Sequence, residues 1–216
     1  MTKVTLTRNH RQQPSECGAY TFASNLNKMR IYFAFLLLFA FSFAYGQSNY
    51  RVSNYSLVIN GTSNLHAWQS KANEIRGSGS IQADASGLKS IQNLSIEIPA
   101  KSIKSTKGSI MDNKTYDALK ANSFPNINYK LEKVTSLNSK GGSFNLNASG
   151  YLTIAGVTQS LQLYVEGWLG GDGSITFKGS KKFKMSDFSI KPPTALMGTL
   201  TTGDEVEIVF QVSLKQ

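Results

Sequence analysis

With 216 residues, 40% of them hydrophobic and 17% charged, the chain has an ordinary globular balance, which excludes disorder as the default and leaves room for one domain with a core. One cysteine and two histidines exclude a disulfide framework and a multi-histidine metal site. The net charge of +10 is scattered and comes with no nucleic-acid motif, so nucleic acid is not an expected partner.

Residues 1–28 are polar and aperiodic and read as a leader or an upstream extension; the alternative is a long basic n-region carrying Arg8, Arg11 and Lys28. MRIYFAFLLLFAFSFAYGQ, from Met29 to Gln47, has the three parts of an export signal: Arg30, the apolar run 31–43, and the small-x-small triplet Ala44, Tyr45, Gly46. The run has 13 residues, short of the roughly 17 to 25 that cross a bilayer. A signal peptide over 29–46, cleaved after Gly46, is therefore expected, with 47–216 in the periplasm or outside the cell. Cys17 precedes the run, which disfavours a lipoprotein anchor at the cleavage site. Beyond residue 46 the chain has 18 basic and 12 acidic residues, a net charge of +6, and no cysteine.

From residue 50 onward apolar and polar residues alternate with period two, the pattern of strands that bury one face. Leu94, Ile96 and Ile98 alternate with Ser95 and Glu97, and Leu161, Leu163 and Val165 with Gln162 and Tyr164. The pattern predicts about eight strands, drawn from nine alternating segments near 50–59, 62–69, 74–83, 89–98, 126–137, 143–154, 159–169, 173–184 and 204–214. Turn chemistry separates them at 84–87, 139–142, 155–158 and the glycine cluster 170–173. Residues 109–122, with Met111, Tyr116, Leu119 and Lys120 ahead of Pro125, predict one short helix. The fold class is thus all-β, an antiparallel meander that escapes exposed edges by closing into a barrel.

The inward parity collects Leu57, Ile59, Ile81, Ile96, Ile127, Tyr129, Leu131, Phe144, Leu146, Leu152, Ile154, Leu161, Leu163, Phe177, Ile208 and Phe210. An eight-stranded barrel encloses either a packed core or one small ligand, and periodicity does not choose between them. Beyond residue 46 the one histidine, His66, reads as a structural hydrogen-bonding residue, or with Trp68 as the mouth of a cavity. Lys178, Lys181, Lys182 and Lys184 read as a solvated strand face, or as a meeting place for anionic headgroups or a pyrophosphate. The carboxylates Asp204, Glu205 and Glu207 and the pair Asp112 and Asp117 form no acid-base pair, and the RGSGS glycines precede no helix, as a phosphate loop requires. No catalytic residue and no metal ligand set is therefore assigned.

Four segments in order resemble the YceI-like family of exported polyisoprenoid-binding proteins: SIEIPAKSIKS at 95–105, MDNKTYDALKANSFPNINYKL at 111–131, LTIAGVTQSLQLYV at 152–165, and KMSDFSIKPP followed by GDEVEIVFQVSL at 203–214. GTSNLHAWQ at 61–69 departs from the family's Phe-rich strand. The resemblance covers about 50–215 and implies a lipocalin-like extended barrel whose apolar tunnel holds an isoprenoid or other long-chain lipid, with no cofactor beyond that lipid and no catalysis. Leu57, Ile59, Ile96, Tyr129, Leu131, Phe144, Leu146, Leu152, Ile154, Leu161, Leu163, Phe177, Ile208 and Phe210 are then the candidate tunnel lining. Transient contact with a membrane surface is expected, and a homodimer is left open. The competing reading is an exported structural or stress-response barrel with a packed interior.

Overall fold

The computed structural model describes residues 48–216; the leader and signal segments expected over 1–46 lie outside them. The strands are β1 (Ser48–Ser63), β2 (Trp68–Ala72), β3 (Arg76–Asp84), β4 (Gly87–Pro99), β5 (Ile103–Ser105), β6 (Asn126–Lys140), β7 (Ser143–Ile154), β8 (Val157–Leu169), β9 (Ile175–Lys184), β10 (Thr194–Ala195) and β11 (Leu200–Lys215), with the helix α1 (Ser109–Ala118) between β5 and β6. Pairing runs β1, β11, β9, β8, β7, β6, β4, β3 and back to β1, so an antiparallel barrel of eight strands closes. β2 and β3 pair with β1 in one unbroken register, Gly61 with Trp68 and Ser48 with Ile81, so they are one long strand interrupted at 73–75. β4 and β5 are separated by a single 3-10 turn at Ala100–Ser102 and pair with β3 and β2 respectively.

Two boundaries differ from the periodicity. The segment expected as a strand over 62–69 straddles a turn, because Ser63 Oγ accepts the N–H groups of Leu65 and His66 and ends β1 there. The helix expected to 122 stops at Ala118, because Lys120 takes a left-handed φ of 50° well before Pro125 is reached.

Bulges keep apolar groups inside where the sequence breaks its alternation. Leu131, Val134 and Leu137 are spaced by three, and register shifts between Leu131 and Lys133 and between Val134 and Ser136 turn all of them inward. A shift in β1 between Val52 and Asn54 does the same for Val52 and Tyr55.

Both barrel ends are filled. Around the turns at 85–86, 141–142 and 170–174, Ile81, Leu88, Phe144, Leu146, Ile175 and Leu214 pack into one buried cluster. At the other end Ile154, Met185, Phe188, Ile190 and Val206 form a second, onto which Ala118 and Leu119 from the end of α1 close. The helix is tied down by Asp112, whose Oδ1 accepts the Ser105 N–H at 2.6 Å, and by Tyr116, whose hydroxyl donates to the Lys101 carbonyl at 2.9 Å.

Candidate functional site

Between the two end clusters lies a cavity of about 180 Å³ whose open wall presents apolar atoms alone. Leu57 and Ile59 reach it from β1, Ile96 from β4, Tyr129 from β6, Leu152 and Ile154 from β7, Leu161 and Leu163 from β8, Phe177 from β9, and Ile208 and Phe210 from β11. These are candidate lining residues from the sequence that the fold brings together. Leu131, Phe144 and Leu146 share their inward parity but not their place. They sit in or against the filled end, with Phe144 and Leu146 buried and the Phe144 and Phe177 rings 5.3 Å apart. Parity fixes which face a residue takes, whereas height along the barrel decides whether it meets a packed neighbour or the void.

His66 and Trp68 do not line the cavity. His66 is exposed in the turn after β1, and Trp68 lies against the end cluster beside α1, its indole N–H donating to the Thr62 carbonyl at 3.0 Å.

The wall also includes Ile75, Leu94, Ile98, Ile103, Ile127, Phe183, Val212, Leu214 and one charged residue, Lys181. Ile127 had the right parity. Ile75 and Ile103 sit at the interruptions of long strands, where no alternation marks them. Leu94 and Ile91 both turn inward because Asn93, with φ of 54°, occupies a bulge. Lys181 did carry a signal: Ile175, Phe177, Gly179, Lys181 and Phe183 form one face of β9, and the Ile208 to Lys181 and Phe210 to Gly179 pairings place that face inward.

Tyr129 brings the only hydroxyl among the lining side chains. Burial pushes its phenol up to about 12, so it stays protonated across the physiological range. Among the described residues no group of three His, Cys, Asp or Glu is placed to hold a metal ion, and no helix is long and apolar enough to cross a membrane. Nothing on this wall resembles a nucleophile with its base. What the arrangement offers is dry apolar surface.

The wall is not sealed all round. β8 and β9 pair over five positions, from Leu169 with Ile175 to Val165 with Gly179, and then part. Past that point 157–164 and 180–184 have no backbone pairing with each other, while each stays paired on its far side. A groove bounded by Leu152, Leu161, Lys181 and Phe183 opens there to the outside.

The YceI-like domain matches residues 50–214. The chain belongs to that family. No curated protein matches the sequence. Among solved structures it is similar to a polyisoprenoid binding domain from Saccharophagus degradans implicated in plant cell wall breakdown, at 11% identity, covering 79% of this chain and 99% of that one, with a TM-score of 0.62. BcnA of Burkholderia cenocepacia is 17% identical over 74% of this chain and 95% of its own, with a TM-score of 0.57. A YceI protein of Campylobacter jejuni is 24% identical over 68% of this chain and 84% of its own, with a TM-score of 0.51. At these identities the likeness is one of fold, and the lipocalin-like barrel expected from the sequence is the fold observed.

Proposed function

We propose that this YceI-like protein is an exported lipid-binding protein that holds a long apolar, isoprenoid-like chain inside the barrel, as a carrier or store, without catalysis. The observation that carries this reading is the cavity between two filled ends, whose open surface is apolar. A site of that kind favours apolar guests, because water entering it finds fewer hydrogen-bond partners than it needs. The polyisoprenoid binding of the Saccharophagus degradans relative supports the same ligand class. One water needs about 10 to 15 Å³ of such space, so a cavity of about 180 Å³ is well beyond a packing defect and has space for part of an apolar chain. A packed structural barrel leaves no such space.

Native mass spectrometry of the protein incubated with farnesol tests this. One farnesol per chain, competed away by a longer polyprenol, is the expected result. A protein that leaves every such mixture at its bare mass overturns the reading. Export belongs to the proposal through the signal architecture at 29–46, and N-terminal sequencing of protein recovered outside the cytoplasm should begin at Gln47. A chain recovered with residues 31–43 attached sinks that part.

A further inference from the structure

We infer that the apolar tail enters and leaves sideways, through the gap between β8 and β9, and that an anionic lipid head stays in that doorway on Lys181. The inference rests on the lipid reading above and adds a route and a head-group site.

The two barrel ends offer no route. One is closed by Ile81, Leu88, Phe144, Leu146, Ile175 and Leu214, and the other by Met185, Phe188, Ile190 and the end of α1. Opening either would expose a buried cluster, at about 25 cal/mol for every Å² of apolar surface. The β8 and β9 gap is already open. Carrying the Val165 to Gly179 register onward would set Leu163 against Lys181 and Leu161 against Phe183, yet no backbone pair forms there. Instead β8 is tied to the 3-10 turn that follows β9, at the far end of the gap, where Gln159 Nε2 donates to the Asp187 carbonyl at 2.7 Å. Leu152, Leu161, Lys181 and Phe183 belong both to the cavity wall and to the outer groove, so cavity and groove meet at these residues. A tail longer than the cavity has this as its continuation.

Lys181 explains the head. A lysine at an inward position of a barrel strand is costly unless its ammonium reaches water or an anion, and its aliphatic stem can lie along apolar surface while it does so. Here the stem lies on the cavity wall and the gap gives the ammonium its exit. The neighbouring groups leave it available: Glu205 pairs with Lys182 at 3.6 Å, and the Asp187 carboxylate accepts the Lys184 backbone N–H at 3.0 Å. Among the described residues no carboxylate lies within ion-pair distance of Lys181. A phosphate on the end of a prenyl tail would meet Lys181 with its tail already in the cavity.

The test uses the full chain with Cys17→Ser, so that introduced thiols are the only ones. Gln162→Cys with Lys182→Cys places two exposed thiols across the gap, and a short bis-maleimide bridges them. Loading and release of farnesyl phosphate should then slow at least tenfold. The same bridge between Lys178→Cys and Gln211→Cys, which are paired partners on β9 and β11, should leave both rates unchanged. Lys181→Gln should weaken farnesyl phosphate about tenfold more than it weakens farnesol, with Lys181→Arg holding the parent preference. Inorganic phosphate should not displace the farnesyl phosphate. A parent that takes up neither farnesyl probe overturns the lipid reading and the doorway with it. A parent that binds both and exchanges as fast when bridged overturns the doorway alone, and equal loss of both probes in Lys181→Gln, or displacement by inorganic phosphate, overturns the head-group site.

Discussion

The Tyr129 ring lies directly against Gly150, so close that a Cβ on Gly150 would come 2.6 Å from the ring Cε2 and hydroxyl and 2.6 Å from the Lys130 carbonyl. The two residues stand on adjacent strands and both face inward, and the missing side chain lets the ring lie along β7 rather than across the lumen. Gly150→Ala should therefore cost roughly 1 to 3 kcal/mol in chemical denaturation, since neither the ring nor the backbone oxygen can yield freely. A variant as stable as the parent would show that the ring has room to move into the cavity.

The same tyrosine makes stability fall in alkali. Burial disfavours the phenolate and pushes the folded pKa up to about 12, above the ordinary tyrosine value of about 10. The folded state therefore keeps a proton that the unfolded chain gives up, so the stabilisation is complete below pH 10 and is lost as pH rises through about 12. The loss is of order 2 kcal/mol once partial exposure of the ring is discounted. Tyr129→Phe should flatten the stability profile over this window relative to the parent, whereas an identical slope in the two proteins would contradict the assignment.

Alternation showed the class of the fold, the turns and most of the cavity wall, since every strand that buries one face writes its parity into the chain. Three things were hidden. Bulges at Ser53, Asn93 and within β6 reset the parity, so Leu131, Val134 and Leu137 look out of phase although all turn inward. Height along the barrel is not a sequence property, which is why Phe144 and Leu146 belong with the filled end while Leu152, on the same strand, meets the void. The parting of β8 from β9 is likewise a matter of pairing and not of residue type. Only Lys181, a charge on an apolar face, marks it.

Asp112 offers a separate test of how the helix is held. Its carboxylate is buried, accepts the Ser105 N–H at 2.6 Å and stands 3.5 Å from the Lys104 ammonium. Asp112→Ala leaves that N–H without its acceptor and should cost about 1 to 3 kcal/mol, with faster amide exchange through α1 and β5. Asp112→Asn retains an acceptor and should cost less. Equal losses in the two variants would assign the effect to the ion pair instead.

The cavity and the filled end make opposite demands on size, and two leucines on adjacent strands compare them. Leu146 is buried in the end cluster, whereas Leu163 lies half-buried on the cavity wall beside the gap. Leu146→Ala removes packed atoms and should cost about 2 to 5 kcal/mol, depending on how far its neighbours collapse. Leu163→Phe adds volume. In a packed interior that change would cost roughly 1 to 3 kcal/mol through forced rotamers. Against open space the larger ring occupies the void, so thermal melting should match the parent while retention of the longer prenyl chains falls first and farnesol is kept longest. A Leu163→Phe protein that melts well below its parent, in a chain that never carries farnesol, would show that this wall is core and that the barrel holds no lipid.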